Sequence, residues 1–193
     1  MALFKESSLR SRAAVGTPAF ESAGTMLAKK VTASSSVQHF DIFLSHSFDD
    51  KDIIYGMWLS LEDLGYKVYV DWIHDQNLSR DKVTKETAEV LRSRMRSSKS
   101  LFFATSNSSS GSKWMPWELG FKDAQNQKAA ILPIAQTDTQ SYVGQEYLGI
   151  YPYITEDAVS GGNTQKRLWV RTSSTCYVLF DNWLTGSAPT ERR

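Results

Sequence analysis

Several common signatures of protein chemistry are absent from this chain. Its 193 residues include one cysteine, Cys176, so an intramolecular disulfide is excluded and a reducing compartment is compatible. The formal net charge is only +1, which gives no global field for drawing in nucleic acid or an anionic membrane surface. No apolar run approaches the roughly 20 residues that a bilayer span requires. The basic N-terminus "MALFKESSLRSRAAVG" lacks the uninterrupted apolar stretch of a secretory signal. A soluble, cytoplasmic protein without nucleic-acid or membrane partners is therefore expected. There is no GxGxxG, no Walker lysine loop and no GxSxG elbow. The three histidines, His39, His46 and His74, show no ligand spacing with one another or with Cys176, so no metal is expected.

What remains is a globular composition, 41% hydrophobic and 12% aromatic, with enough length for one domain and an appendage. Residues 1–38 form the appendage. Lys5, Arg10, Arg12, Lys29 and Lys30 outnumber Glu6 and Glu21, and the segment closes on the polar stretch "TASSSVQ", which reads as a linker. A basic arm is expected here, partly helical around 4–14 and 20–30 and otherwise mobile or loosely packed. The alternative is an arm that serves self-association.

From residue 40 the pattern becomes regular. "FDIFLS" (40–45) suits a buried strand. Ile53, Ile54, Met57, Trp58, Leu61 and Leu64 then recur at helical spacing, with Asp49 or Asp50 placed to cap the start and Gly65 to end it. "YKVYVDW" (66–72) alternates like a strand and "IHDQNLSRD" reads as a polar loop. A helix over 82–98, a strand over 100–106, a helix from near Pro116 to Gln127 and a strand over 129–135 follow. Towards the end the spacing predicts a short helix and strand near 145–154, a turn at "VSGGNT", a strand at "KRLWVRT", a last helix over 174–184 and a polar tail from 187. Strands alternating with helices at these intervals predict a parallel sheet, and nearly continuous apolar strands predict helices on both of its faces. Ligands of such sheets sit beyond the carboxyl ends of the strands. Ser45, His46, Ser47, Asp71, Trp72, Thr105 and Ser106 fall there. A phosphoreceiver would share this alternation but needs an acceptor aspartate at the end of its third strand, where this chain has "ATS".

One stretch carries a conspicuous acid. In "SKWMPWELGF" (112–121), Glu118 stands among two tryptophans, a methionine, a leucine and a phenylalanine. Proline fits the first helical position, which places Glu118 in the first turn. Acids are common there because the helix dipole favours them; alternatively, the carboxylate faces a pocket at the rim of the strand ends.

Taken together, "FDIFLSHSFDDKD", "LEDLGYKVYVDW" and "SLFFATSNSSSGSKWMPWELGF" resemble the successive boxes of a Toll/interleukin-1 receptor (TIR) domain across residues 39–186. The resemblance implies an α/β, flavodoxin-like fold with a central parallel sheet of about five strands. It also implies that Glu118, matching the glutamate of W-x-x-x-E in enzymatic members, splits NAD⁺ at the nicotinamide–ribose bond. NAD⁺ is then the substrate, with no further cofactor. Ser45, His46 and Ser47 would meet ribose or phosphate, with His46 a binding or loop-ordering residue. Asp71, Trp72 and Trp114 would line the site, and Arg80 would approach the pyrophosphate or lie solvated. Self-association through TIR–TIR contacts, using the loop at 73–81, is implied as well. A chain of this length resembles the sensor enzymes of bacterial anti-phage systems such as Thoeris, which reach a separate effector through a nucleotide product. The contrasting expectation is a non-catalytic interaction module or adaptor mimic.

Overall fold

The computed structural model describes residues 2–16, 39–75, 84–106, 109–137, 146–159 and 165–192. In chain order its elements are β1 (Phe4–Lys5), α1 (Glu6–Gly16), β2 (Phe40–Ser45), α2 (Lys51–Asp63), β3 (Val68–Tyr69), α3 (Asp71–His74), α4 (Lys85–Arg96), β4 (Ser98–Thr105), α5 (Trp114–Asn126), β5 (Ala129–Ala135), β6 (Tyr153–Ala158), β7 (Lys166–Arg171), β8 (Cys176–Leu179), α6 (Phe180–Leu184) and β9 (Thr190–Glu191). The strands form one sheet in the order β3-β2-β4-β5-β6-β7-β8-β9, with β1 paired to β5 off this path. From β3 to β6 all pairings are parallel, and from β6 to β9 all are antiparallel. The parallel part has the doubly wound order of a flavodoxin-like fold, as expected.

Strand alternation sorts the core into two layers. Ile42, Leu44, Phe102, Ala104, Ala130 and Leu132 face α2 and α6 on one side. Phe43, Leu101, Phe103, Ala129 and Ile131 face α4 and α5 on the other. Because side chains on a strand alternate with period two, Ser45 falls on the same face as Phe43, towards α5. The end of α2 follows the sequence expectation. Gly65 takes φ 93°, its amide bonds to Glu62 O at 2.8 Å and that of Tyr66 to Leu61 O at 3.2 Å, a Schellman closure.

Four expectations are corrected. Residues 2–16 are not a loose arm. Phe4, Leu9 and Ala13 are buried in the core, Phe4 pairs with Ile134, and Arg12 makes a bidentate bond to Asp63 at 2.8 and 3.0 Å. A Cβ on Gly56 would come within 1.9 Å of the Leu9 carbonyl oxygen, so the absence of that side chain lets α1 lie against α2. The expected helix near 20–30 lies outside the described residues. Second, β3 is only Val68–Tyr69, and Asp71–His74 is helical rather than strand and loop. The chain turns because the amides of Ile73 and His74 both bond to Val70 O, at 3.2 and 3.0 Å. Third, the last predicted helix begins as β8. Its Tyr177, Val178 and Leu179 pair with Arg171, Val170 and Trp169, and only Phe180–Leu184 is helical. A run of Cys, Tyr, Val and Leu packs as well on a neighbouring strand as on a helix face. Fourth, α5 starts at Trp114, two residues before Pro116. Proline is still tolerated because amides in a helix's first turn have no intrahelical partner. Most of "VSGGNT" lies outside the described residues, and the fifth parallel strand is β6.

Candidate active site

The C-terminal ends of β2 and β4 and the start of α5 converge on one edge of the sheet. The sheet-facing stripe of α5 comprises Trp114, Met115, Glu118, Leu119 and Lys122. Glu118 therefore sits under the helix, with 0% of its surface exposed, rather than at a solvent rim. It lies in the second helical turn, beyond the reach of a first-turn dipole argument. The Ser45 hydroxyl donates to Glu118 Oε2 at 2.6 Å. Period-two alternation on β2 and helical spacing on α5 together bring these residues into contact across 73 positions of sequence.

Beside this pair lies a second group. His46 is 1% exposed and Asp71 3%. The Trp72 indole N–H donates to His46 Nε2 at 2.7 Å. That nitrogen is then the acceptor, so Nδ1 carries the hydrogen and donates to Leu44 O at 2.9 Å. Asp71 Oδ1 stands 3.4 Å from His46 Nε2. His46 thus ties the end of β2 to the start of α3. The far end of α3 is fixed too. Asp75 accepts from Arg94 at 2.9 and 2.8 Å and from the Tyr69 hydroxyl at 2.7 Å. Burial alone would raise the Asp75 carboxyl, but these bonds outweigh it and hold it below the usual range. Burial and then the Asp75 charge push the Tyr69 phenol well upward.

Of the other expected residues, Ser47 is buried at 5% exposure and precedes the 3-10 turn Phe48–Asp50. Trp114, at 8% exposure, belongs to the core layer with Met115 and Leu119. It meets Trp117 edge to face at 5.5 Å. Trp117 and Phe121 are partly buried against the same layer and reach α4: Arg92 lies over Trp117 at 5.4 Å and Arg96 over Phe121 at 5.6 Å. Arg80 lies outside the described residues. One contact was not anticipated. Asp50, expected as a helix cap, makes no cap bond and instead accepts the Ser106 hydroxyl. Ser106 was visible at a strand end and Asp50 as a helix cap, but nothing in the sequence paired them. Among the described residues no cluster of His, Cys, Asp or Glu could hold a metal ion. No described helix is long and apolar enough to cross a membrane.

A doubly wound sheet with a buried acid at its carboxyl edge defines an α/β protein of the class that binds ligands beyond its strand ends. No protein-family profile matches the chain. Curated proteins do, and two carry provisional names. It is 54% identical over 146 residues, 75% of each chain, to the 3' cyclic ADP-D-ribose synthase ThsB' of Bacillus cereus. It is 33% identical over 92 residues to the cyclic ADP-D-ribose synthase TIR2 of Cytobacillus dafuensis, covering 46% of this chain and 24% of that protein. The chain belongs to the TIR family, in its Thoeris-type bacterial group.

Proposed function

We propose that this protein cleaves NAD⁺ between nicotinamide and ribose and closes the remainder into a cyclic ADP-ribose-type signal for anti-phage defence. The observation that carries this reading is the buried Ser45–Glu118 pair at the carboxyl edge of the sheet. The names of the relatives, both cyclic ADP-ribose synthases, supply the reaction class.

The chemistry needs little more than a placed anion. Breaking the C–N bond sends its electron pair to nicotinamide, which leaves neutral, so no general acid is required. Positive charge builds on the ribose, and Glu118 stabilises it electrostatically in a site that excludes water. Ser45 holds one carboxylate oxygen and sets the rotamer. An internal acceptor, an adenine nitrogen or a ribose oxygen, then forms the new bond to the anomeric carbon; a hydroxyl acceptor gives up its proton to a base, a role open to the Glu118 carboxylate. Water in place of the internal acceptor gives ADP-ribose. His46, Trp72 and Asp71 shape the neighbouring wall.

Neither Ser45 nor Glu118 exposes any surface, 0% each, so substrate contact requires the covering groups to move. A neighbouring subunit or a trigger would supply that movement, and the nucleotide product would act on a separate effector. The test is incubation of the purified protein with NAD⁺ across a dilution series, with products separated and weighed. The expected result is free nicotinamide plus a nucleotide one water lighter than ADP-ribose, with specific activity rising with concentration. NAD⁺ left intact at every concentration, with cell extract added as a source of trigger, would overturn the reading.

A further inference from the structure

Asp50 occupies the N-cap position of α2 and is 8% exposed. An aspartate there ordinarily accepts a hydrogen bond from an amide of the helix's first turn. This one makes no such bond. Its Oδ2 accepts the Ser106 hydroxyl instead, 56 residues away. β2 and β4 are neighbours, with Ser45 paired to Phe103, so Asp50 and Ser106 join the loops that leave two adjacent strand ends.

From Ser106 the bonding continues towards α5 at every third residue. The Ser109 hydroxyl donates to Ser106 O at 2.8 Å and accepts the Ser106 amide at 3.3 Å. The Ser109 amide donates to Ser106 O at 3.3 Å and the Ser112 amide to Ser109 O at 3.2 Å. The Ser112 hydroxyl accepts the Met115 amide at 3.3 Å, inside the first turn of α5. Glu118 follows three residues later. A continuous path of hydrogen bonds thus runs from Asp50 to the turn that sets the height and rotation of the acid against Ser45.

We infer that Asp50 is a positioning residue for Glu118, acting through Ser106 and the serine turn. The inference rests on the reading of Glu118 given above. An aspartate that forgoes capping its own helix is used elsewhere. A 1 Å displacement of a catalytic group can cost on the order of a hundredfold in rate, so a tether at the entrance to α5 acts on turnover more than on substrate affinity.

The decisive variant is Asp50→Ser. Serine is a good N-cap for α2 but too short to reach Ser106, so stability and positioning are pulled apart. Ser106→Ala breaks the same bond from the other side, and Ser106→Thr keeps the hydroxyl. Expected results are a melting temperature for Asp50→Ser at or above wild type, and kcat for NAD⁺ lowered about ten- to a hundredfold in Asp50→Ser and Ser106→Ala. KM should stay within about twofold and Ser106→Thr within about threefold of wild type in kcat. The double variant should be no worse than the worse single, as for two ends of one interaction. Amide exchange read alongside should quicken across 109–119 and not across α2. Folded variants with wild-type kcat and unchanged exchange, or losses that multiply in the double variant, overturn the proposal. If wild type itself leaves NAD⁺ intact, the reading of Glu118 fails, and the exchange measurement alone still decides whether Asp50 holds the start of α5.

Discussion

Glu118 and Lys122 lie one helical turn apart on the sheet-facing stripe of α5, and neither exposes any surface, 0% each. The two positions use buried charge differently. Lys122 points to the amino edge of the sheet. Its Nζ donates to Met95 O at 2.9 Å, to Ser98 O at 2.5 Å and to Gln125 Oε1 at 3.3 Å. An ammonium has three protons to donate, and here three oxygens receive them. Met95 is in the last turn of α4, where the helix dipole favours a cation. Lys122 therefore joins α4, β4 and α5. Glu118 points to the carboxyl edge, where doubly wound folds bind ligands, and is held by a hydroxyl from the end of β2. Burial is the same for both charges. What differs is the edge of the sheet each one faces, and on the proposed function that is what separates a structural charge from a catalytic one.

The strongest way to break this comparison is Glu118→Gln. The amide still accepts the Ser45 hydroxyl, so the variant should fold and melt at or slightly above the wild-type temperature. NAD⁺ turnover should fall by at least about a hundredfold through loss of the anion. Thermal unfolding and a product time course on the same preparation check both halves. Near-normal turnover in a folded Glu118→Gln protein would return Glu118 to the same class as Lys122.

Lys122→Met is the converse. It strands the Met95 and Ser98 carbonyls, which should cost about 1–3 kcal/mol. At this chain length that lowers the melting temperature by about 2–4 °C per kcal/mol. Turnover per folded molecule should stay within about twofold of wild type, measured at a temperature where both are folded. A large loss of kcat without loss of stability would place Lys122 in the site after all.

The smallest effect is in pH. Burial lowers the Lys122 ammonium to about 8 from its ordinary 10.5. The folded state therefore releases this proton before the unfolded state does. As pH rises from about 8 towards 10.5, the group's contribution turns more favourable to folding. Below about 8 it is charged in both states and the full burial penalty applies. The melting-temperature gap between wild type and Lys122→Met should widen between pH 7 and about pH 9.5. A narrowing gap would show that the three oxygens favour the ammonium more than burial opposes it.

The central architecture was legible because it is written in local periods. Ile53 to Leu64 repeats every three or four residues, β2, β4 and β5 are apolar runs, and Gly65 marks a helix end; each is decided by neighbours in sequence. The site was partly legible for the same reason. Ser45 and Glu118 sit at predictable ends of predictable elements, and the order of the boxes resembled a TIR domain. The packing of residues 2–16 was not legible, because α1 buries only Leu9 and Ala13 on its length and depends on the missing side chain of Gly56. Nor was β8, whose residues suit a strand or a helix until β7 offers a partner.

By itself, the sequence determined the alternation of strands and helices, the parallel sheet covered on both faces that follows from it, and the placing of one acid on the helix after β4. Only the tertiary structure decided that Glu118 is wholly buried against Ser45, that Lys122 is spent on carbonyls at the opposite edge, that Asp50 reaches Ser106 instead of capping α2, and that the N-terminal segment joins the sheet. The physical reason is range. Hydrophobic period and turn chemistry act over a few residues, whereas a hydrogen bond between positions 45 and 118 or 50 and 106 exists only once strand register and helix rotation have been fixed by the packing of the entire core.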